Sequence, residues 1–89
     1  MEKYMRLDKY LKTARILKRR EAAKELALQG RIQVNGRVAK PSTEIQIGDV
    51  IRIEFGYRIL EIKVTDIQKQ VSKKNAALLF EIIKEENRD

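Results

Sequence analysis

The protein is a chain of 89 residues that carries 20 lysines and arginines against 13 aspartates and glutamates, a formal net charge of +7. It has no cysteine and no histidine, which excludes disulfides, thiol and imidazole catalysis and most transition-metal sites. This length corresponds to one small domain, and the longest apolar run, residues 76–80, is far too short to span a bilayer. With no signal peptide visible, we expect a soluble cytoplasmic domain.

The positive charge is concentrated in the first half of the chain. Residues 1–40 contain 12 Lys and Arg against 4 Asp and Glu, whereas residues 41–89 contain 8 against 9. Such polarity predicts one basic face, and a polyphosphate is the partner that fits it best. A basic tail that only aids solubility is the alternative. It is disfavoured because the basic residues are interleaved with a helical apolar pattern.

Residues 1–5 are predicted to form a flexible leader, and residues 6–15 a first amphipathic helix. Its apolar stripe follows the spacing i, i+4 and i+7, which places one side of the helix against a core: Leu7, Leu11 and Ala14. Its opposite side presents three cations: Arg6, Lys9 and Lys12.

A basic joint follows, residues 15–20. Two adjacent apolar residues, Ile16 and Leu17, lie in the middle of this cationic segment. Their position predicts a turn anchored to the core, with four cations splayed outward: Arg15, Lys18, Arg19 and Arg20.

A second helix is predicted from about Arg20 to Gln29, with Gly30 at the position after its C-cap. No Ser, Thr, Asp or Asn stands at its N-cap, where Arg19 and Arg20 are found instead. Cations there oppose the helix dipole, whereas a bound phosphate would reverse that effect. The pattern therefore favours an anion site, and a suboptimal cap on a surface helix is the alternative.

The rest of the chain predicts a small sheet and a last helix. From residue 31 the apolar period becomes alternating, Asn35-Gly36 predicts a hairpin, and four or five short, mostly antiparallel strands follow. Ile32, Val34 and Val38 are expected on one side of that hairpin. Residues 72–87 predict a helix, because apolar residues recur at i, i+3, i+4 and i+7. The fold class is α+β.

Other functions find little support in the sequence. There is no Walker-type glycine-rich loop and no Ser-His-Asp set, so we expect no catalysis, and Asp8 is expected to form an ion pair on the helix face. The first helix is too short to act as a membrane-surface helix. The few aromatic residues form no platform for stacked bases, so recognition is expected to use phosphates and helix shape, which suits structured RNA.

Three submotifs resemble the S-four RNA-binding domain family: residues 6–11 (Arg-Leu-Asp-Lys-Tyr-Leu), 18–24 (Lys-Arg-Arg-Glu-Ala-Ala-Lys) and 30–36 (Gly-Arg-Ile-Gln-Val-Asn-Gly). Arg15 and the segment Gly48-Asp-Val-Ile are also typical of it, and the resemblance covers about residues 6–55. Two departures are Thr13-Ala14, where Ala-Ser is often seen, and Arg31, where many members carry His. Neither removes a polar or positive contact.

The resemblance implies two helices packed on a small, mostly antiparallel sheet over residues 6–67, with residues 68–89 as a C-terminal helix docked on it. Among single-domain members, the size and ending look most like ribosome-quality-control factors. That likeness implies binding to rRNA and tRNA on stalled large ribosomal subunits and support of alanine tailing by a second factor. We expect no cofactor, metal, membrane or small-molecule substrate. A heat-shock-type rescue factor, a general structured-RNA chaperone and a protein-interaction adaptor are the alternatives.

The predicted RNA contacts are nine cations of the basic N-terminal segment. They are Arg6, Lys9, Lys12, Arg15, Lys18, Arg19, Arg20, Lys24 and Arg31.

Overall fold

Two short helices form in the basic segment, as the apolar stripes predict. In the computed structural model, which describes residues 4–87, α1 spans Leu7–Thr13 and α2 spans Arg20–Leu28. Gly30 follows α2 with a φ of +75°, a left-handed conformation that suits glycine. The amides of Gly30 and Arg31 donate to the carbonyls of Ala27 and Leu26, at 3.0 and 2.9 Å. This paired arrangement closes the helix end and confirms the predicted position of Gly30.

The chain enters α1 through a short strand. β1 (Met5–Arg6) pairs antiparallel with β4 (Glu44–Ile45), with Met5 opposite Ile45. Met5 is buried in the core. The predicted leader over residues 1–5 is therefore wrong at Met5, because this side chain finds an apolar pocket, and residues 1–3 lie outside the described residues.

The remaining strands form one antiparallel sheet. They are β2 (Ile32–Val34), β3 (Arg37–Val38), β5 (Val50–Glu54), β6 (Arg58–Val64) and β7 (Phe80–Asn87), in the order β3-β2-β5-β6-β7. Asn35 and Gly36 connect β2 to β3 with φ values of +53° and +82°, which confirms the predicted hairpin. Val38 pairs with Gln33 and is exposed. The prediction that it shares a side with Ile32 is wrong, because this register puts it on the Gln33 face.

One face of the sheet packs against the helices and the other is polar. The buried face carries branched apolar residues: Ile32, Val34, Ile51, Ile53, Leu60, Ile62 and Val64. The opposite face carries a cross-strand row that alternates with them: Gln33, Arg52, Glu61 and Lys84. Tyr10 of α1 is fully buried and donates its hydroxyl to the Leu79 carbonyl at 2.6 Å. This architecture confirms the α+β prediction of two helices on a mostly antiparallel sheet.

The predicted C-terminal helix is wrong. Only residues 76–79 form a single 3₁₀ turn, and the chain then pairs along the whole of β6 as strand β7. Without β7, the seven-residue strand β6 would be an unpaired sheet edge, so pairing outweighs helical periodicity. An irregularity in the β6–β7 register, between Glu61 and Ile62, accommodates the adjacent Ile82 and Ile83. Across residues 4–87, no helix has the length and apolar character needed to cross a membrane.

Candidate nucleic-acid interface

The joint between α1 and α2 is a turn held to the core by its apolar residues. Arg15 has a φ of +59°, a left-handed conformation that directs the chain away from α1. The amides of Ile16 and Leu17 then donate to the Leu11 carbonyl at 3.0 and 3.2 Å, and both side chains pack half-buried against the core. The predicted anchored turn is confirmed. Its two apolar residues face inward and Arg15, Lys18 and Arg19 are exposed as predicted, whereas Arg20, which was predicted to be splayed outward with them, is half-buried.

A buried carboxylate lies beneath the basic surface. Asp8 is completely buried, and Arg6 donates to both of its oxygens at 3.2 Å. The Nε of Arg20 lies 3.2 Å from Asp8 Oδ2, and the Lys9 amide donates to Oδ1 at 2.8 Å. Burial alone would raise the pKa of Asp8, but contacts with Arg20, Arg6 and the Lys9 amide outweigh burial and hold that pKa below its ordinary value. Asp8 therefore fixes the positions of two arginines, a role beyond the surface ion pair that the sequence predicts.

This carboxylate changes the interpretation of the N-terminus of α2. Arg19 is its N-cap residue and makes no side-chain capping bond, as predicted. Arg20 is half-buried, and the charge of Asp8 offsets its unfavourable interaction with the helix dipole. At this terminus only Arg19 therefore still has a charge that a bound anion would offset. Arg20 also has a structural role that the sequence did not reveal.

Six of the nine predicted cations form two groups, each lining a separate groove. Arg6, Lys9 and Arg20 line a groove beside β1. Lys12, Arg15 and Lys18 line a cleft at the end of α1.

Three predicted contacts lie outside both groups. Arg19 and Lys24 are exposed but line neither groove. Arg31, beyond the far end of α2, lines a third groove that includes Glu54 and Arg58.

Most of this positive charge remains uncompensated. Arg6 and Arg20 are paired with Asp8, and their side chains are still 47% and 39% exposed. The other seven predicted contacts form no ion pair with any residue in the described range 4–87: Lys9, Lys12, Arg15, Lys18, Arg19, Lys24 and Arg31. Five of these seven residues lie on α1 and the joint and form an open cationic surface there: Lys9, Lys12, Arg15, Lys18 and Arg19.

Sequence reasoning missed Lys69 at this surface. Lys69 follows the sheet in a segment without regular structure, yet it lines the same cleft as Lys12 and Lys18. No periodicity marks this position, because its place depends on how residues 65–75 return from β6 toward α1. The Thr65 amide, at the start of this segment, donates to the Leu79 carbonyl at 2.9 Å.

Comparison with known proteins gives one family and close relatives. The family model described as S4 domain, the S-four domain named above, matches residues 5–51. The RQC P-site tRNA stabilizing factor of Streptococcus pneumoniae is 51% identical over 81 residues, covering 91% of this chain and 92% of that protein. Its counterpart in Halalkalibacterium halodurans is 48% identical over 82 residues, covering 92% and 93%. The trimeric structure of Vibrio cholerae heat shock protein 15 superposes with a TM-score of 0.82 at 32% identity, covering 89% of this chain and 81% of that one.

Proposed function

This chain belongs to the S4 domain family, and from that membership we propose that it is a non-catalytic RNA-binding factor of the large ribosomal subunit. The observation that carries the proposal is the open cationic surface of α1 and the joint, where Lys9, Lys12, Arg15, Lys18 and Arg19 form no ion pair with any residue in the range 4–87. Uncompensated cations on a rigid scaffold match the phosphate contacts that dominate affinity for nucleic acids.

The target we propose is rRNA and tRNA on large subunits that have stalled during synthesis. Support comes from relatives that share about half of this sequence and carry the name RQC P-site tRNA stabilizing factor. By holding the tRNA, the protein would support alanine tailing by a second quality-control factor on the same subunit, in the cytoplasm. Its own residues would supply positioning and charge, while the partner would supply the chemistry.

A heat-shock-type rescue factor is the second candidate, and the superposition with heat shock protein 15 favours it. Both candidates use the same basic surface, so they differ in target rather than in chemistry. The adaptor hypothesis loses its main feature, because the acidic C-terminal segment forms a sheet strand and presents no free helix.

Binding to purified large subunits, with and without bound tRNA, tests the proposal. Neutralising roughly four phosphates predicts that the logarithm of affinity falls with the logarithm of salt concentration with a slope near −3. We expect tighter binding to tRNA-bearing subunits than to bare subunits or bulk RNA. Equal binding to bulk RNA would favour a general chaperone, and a salt-independent affinity would contradict an RNA interface. Sedimentation of cell lysate would show whether the protein travels with free large subunits or with whole ribosomes.

A further inference from the structure

We propose that the cleft between the joint and residues 69–71 holds one unstacked nucleotide of the bound RNA, with its phosphate at the rim and its base on the floor. This inference rests on the proposed function and specifies how the RNA is recognised. The residues that line the cleft come from the end of α1, the joint and the segment after β6: Lys12, Thr13, Arg15, Leu17, Lys18, Lys69, Gln70 and Val71.

The cleft has the size and floor that a nucleotide needs. Its volume is about 490 Å³, within the range of roughly 300–1,000 Å³ found for small-molecule pockets. Leu17 and Val71 are half-buried, pack against the core and line the cleft with their remaining surface. A base presents a flat apolar face, which an aliphatic surface can cover where no aromatic side chain is present.

The charge around the cleft suits a phosphate. Four of the eight lining residues are cationic, and none of these eight, all within the described part of the chain, is acidic. Lys12 and Lys18 come from the two ends of the α1–joint turn, whereas Lys69 comes from the separate segment after β6. A phosphate at the rim would therefore meet positive charge from two segments of the chain, which fixes its position better than one row of cations.

The polar groups in the cleft offer hydrogen bonds to a base edge. Gln70 is exposed and carries both a donor and an acceptor, as the edges of the bases do. Residues 69–71 lie beyond residue 51, where the match to the family model ends. The cleft therefore adds single-nucleotide recognition to a surface that the helices alone would use only for phosphates and shape. Unpaired bases in loops and bulges are the usual means of specific RNA recognition.

Chemical probing of the complex with tRNA-bearing large subunits tests this inference. Dimethyl sulfate and a carbodiimide together report the pairing edges of all four bases. We expect the wild-type protein to protect at least one unpaired base, and Gln70→Ala to expose it again. The affinity of Gln70→Ala for these subunits should fall only about two- to tenfold, because one neutral hydrogen bond is lost while the phosphate contacts remain. The matched control is Gln33→Ala, on the polar face of the sheet.

Lys69→Ala supplies an independent measurement. It should weaken binding and reduce the salt slope by about 1, whereas Lys63→Ala, on the polar face of the sheet, should change neither. The nucleotide site is overturned if Gln70→Ala protects the same base as the wild-type protein does. It is also overturned if the wild-type protein protects no base while Lys69→Ala still weakens binding. Either result would leave the proposed function standing. If the wild-type protein does not bind subunits at all, both proposals fail.

Discussion

Replacing Arg20 by alanine should weaken RNA binding and also lower the stability of the fold. Its guanidinium lies beside a buried carboxylate, with Nε 3.2 Å from Asp8 Oδ2, while more than a third of the side chain is open to solvent. The sequence alone suggests an exposed arginine that contributes little to stability. In the structure, Arg20 instead contributes both to the stability of the fold and to the exposed basic surface.

The loss of stability follows from what remains around Asp8. In Arg20→Ala the carboxylate keeps both bonds from Arg6 and the bond from the Lys9 amide, so it is not left unpaired. The loss is therefore smaller than the roughly 3–5 kcal/mol of a broken buried pair. It exceeds the roughly 0–1 kcal/mol of a surface pair, because Asp8 is completely buried. We expect the free energy of unfolding to fall by about 1–2 kcal/mol. The melting temperature should fall by about 4–8 °C for each kcal/mol lost.

The effect on RNA binding should be larger than this destabilisation can explain. Loss of one charge-assisted contact predicts about tenfold weaker binding, or about 1.4 kcal/mol, at a temperature where the variant stays folded. The assay is binding to tRNA-bearing large subunits, with a thermal melt of each variant alongside.

Arg58→Ala is the matched control for this experiment. Arg58 has a similar exposure, 32%, pairs with Glu85 at 2.7 Å and lies 4.8 Å from the Phe55 ring centroid, in the sheet. This variant should lose some stability and retain RNA affinity. The reasoning is refuted if Arg20→Ala binds RNA like the wild type, or if Arg58→Ala weakens binding equally.

Three further changes probe α1 and the joint. The pKa of Asp8 is lower in the folded chain than its ordinary value of 3.8. The ionised Asp8 therefore stabilises the fold above pH 3.8, and this stabilisation is lost as the pH falls through the pKa of the folded chain. Asp8→Asn should therefore be less stable than wild type near neutral pH and lose less stability on acidification, as measured by urea unfolding from about pH 6 to about pH 3; parallel pH profiles would contradict this. Tyr10→Phe removes the 2.6 Å bond to Leu79 and should lower unfolding free energy by about 0.5–1.5 kcal/mol; an unchanged urea midpoint would argue against it. Arg15→Gly relieves a left-handed strain of about 1–2 kcal/mol, offset by about 0.5–1 kcal/mol of chain entropy. Its stability should hold or rise while RNA affinity falls several-fold, and a clear loss of stability would disprove this account of the turn.

The features that sequence predicts well here depend on neighbouring residues. The stripe of α1, the glycine after α2 and the Asn35-Gly36 hairpin are local patterns, and each appears in the structure where it was expected. The anchored joint belongs with them, because two apolar residues among cations have few ways to avoid water.

The features that sequence could not predict depend on distant partners. The apolar spacing of Ala76, Leu79, Phe80 and Ile83 predicts a helix, whereas residues 80–87 form a strand because they pair with the open edge of β6. Asp8 looks like a surface residue until Arg20, twelve positions later, is brought beside it. Lys69 joins the cleft only because the chain returns from β6 to α1.

The hydrogen bond between Tyr10 and Leu79 joins residues 69 positions apart, so α1 cannot be fully packed early in synthesis. On a translating ribosome, the nascent chain would display α1 long before the residues that cover Tyr10 leave the exit tunnel. Native packing of this helix is thus coupled to completion of the 3₁₀ turn and β7. Protein fragments that stop short of Leu79 should expose apolar surface and be degraded.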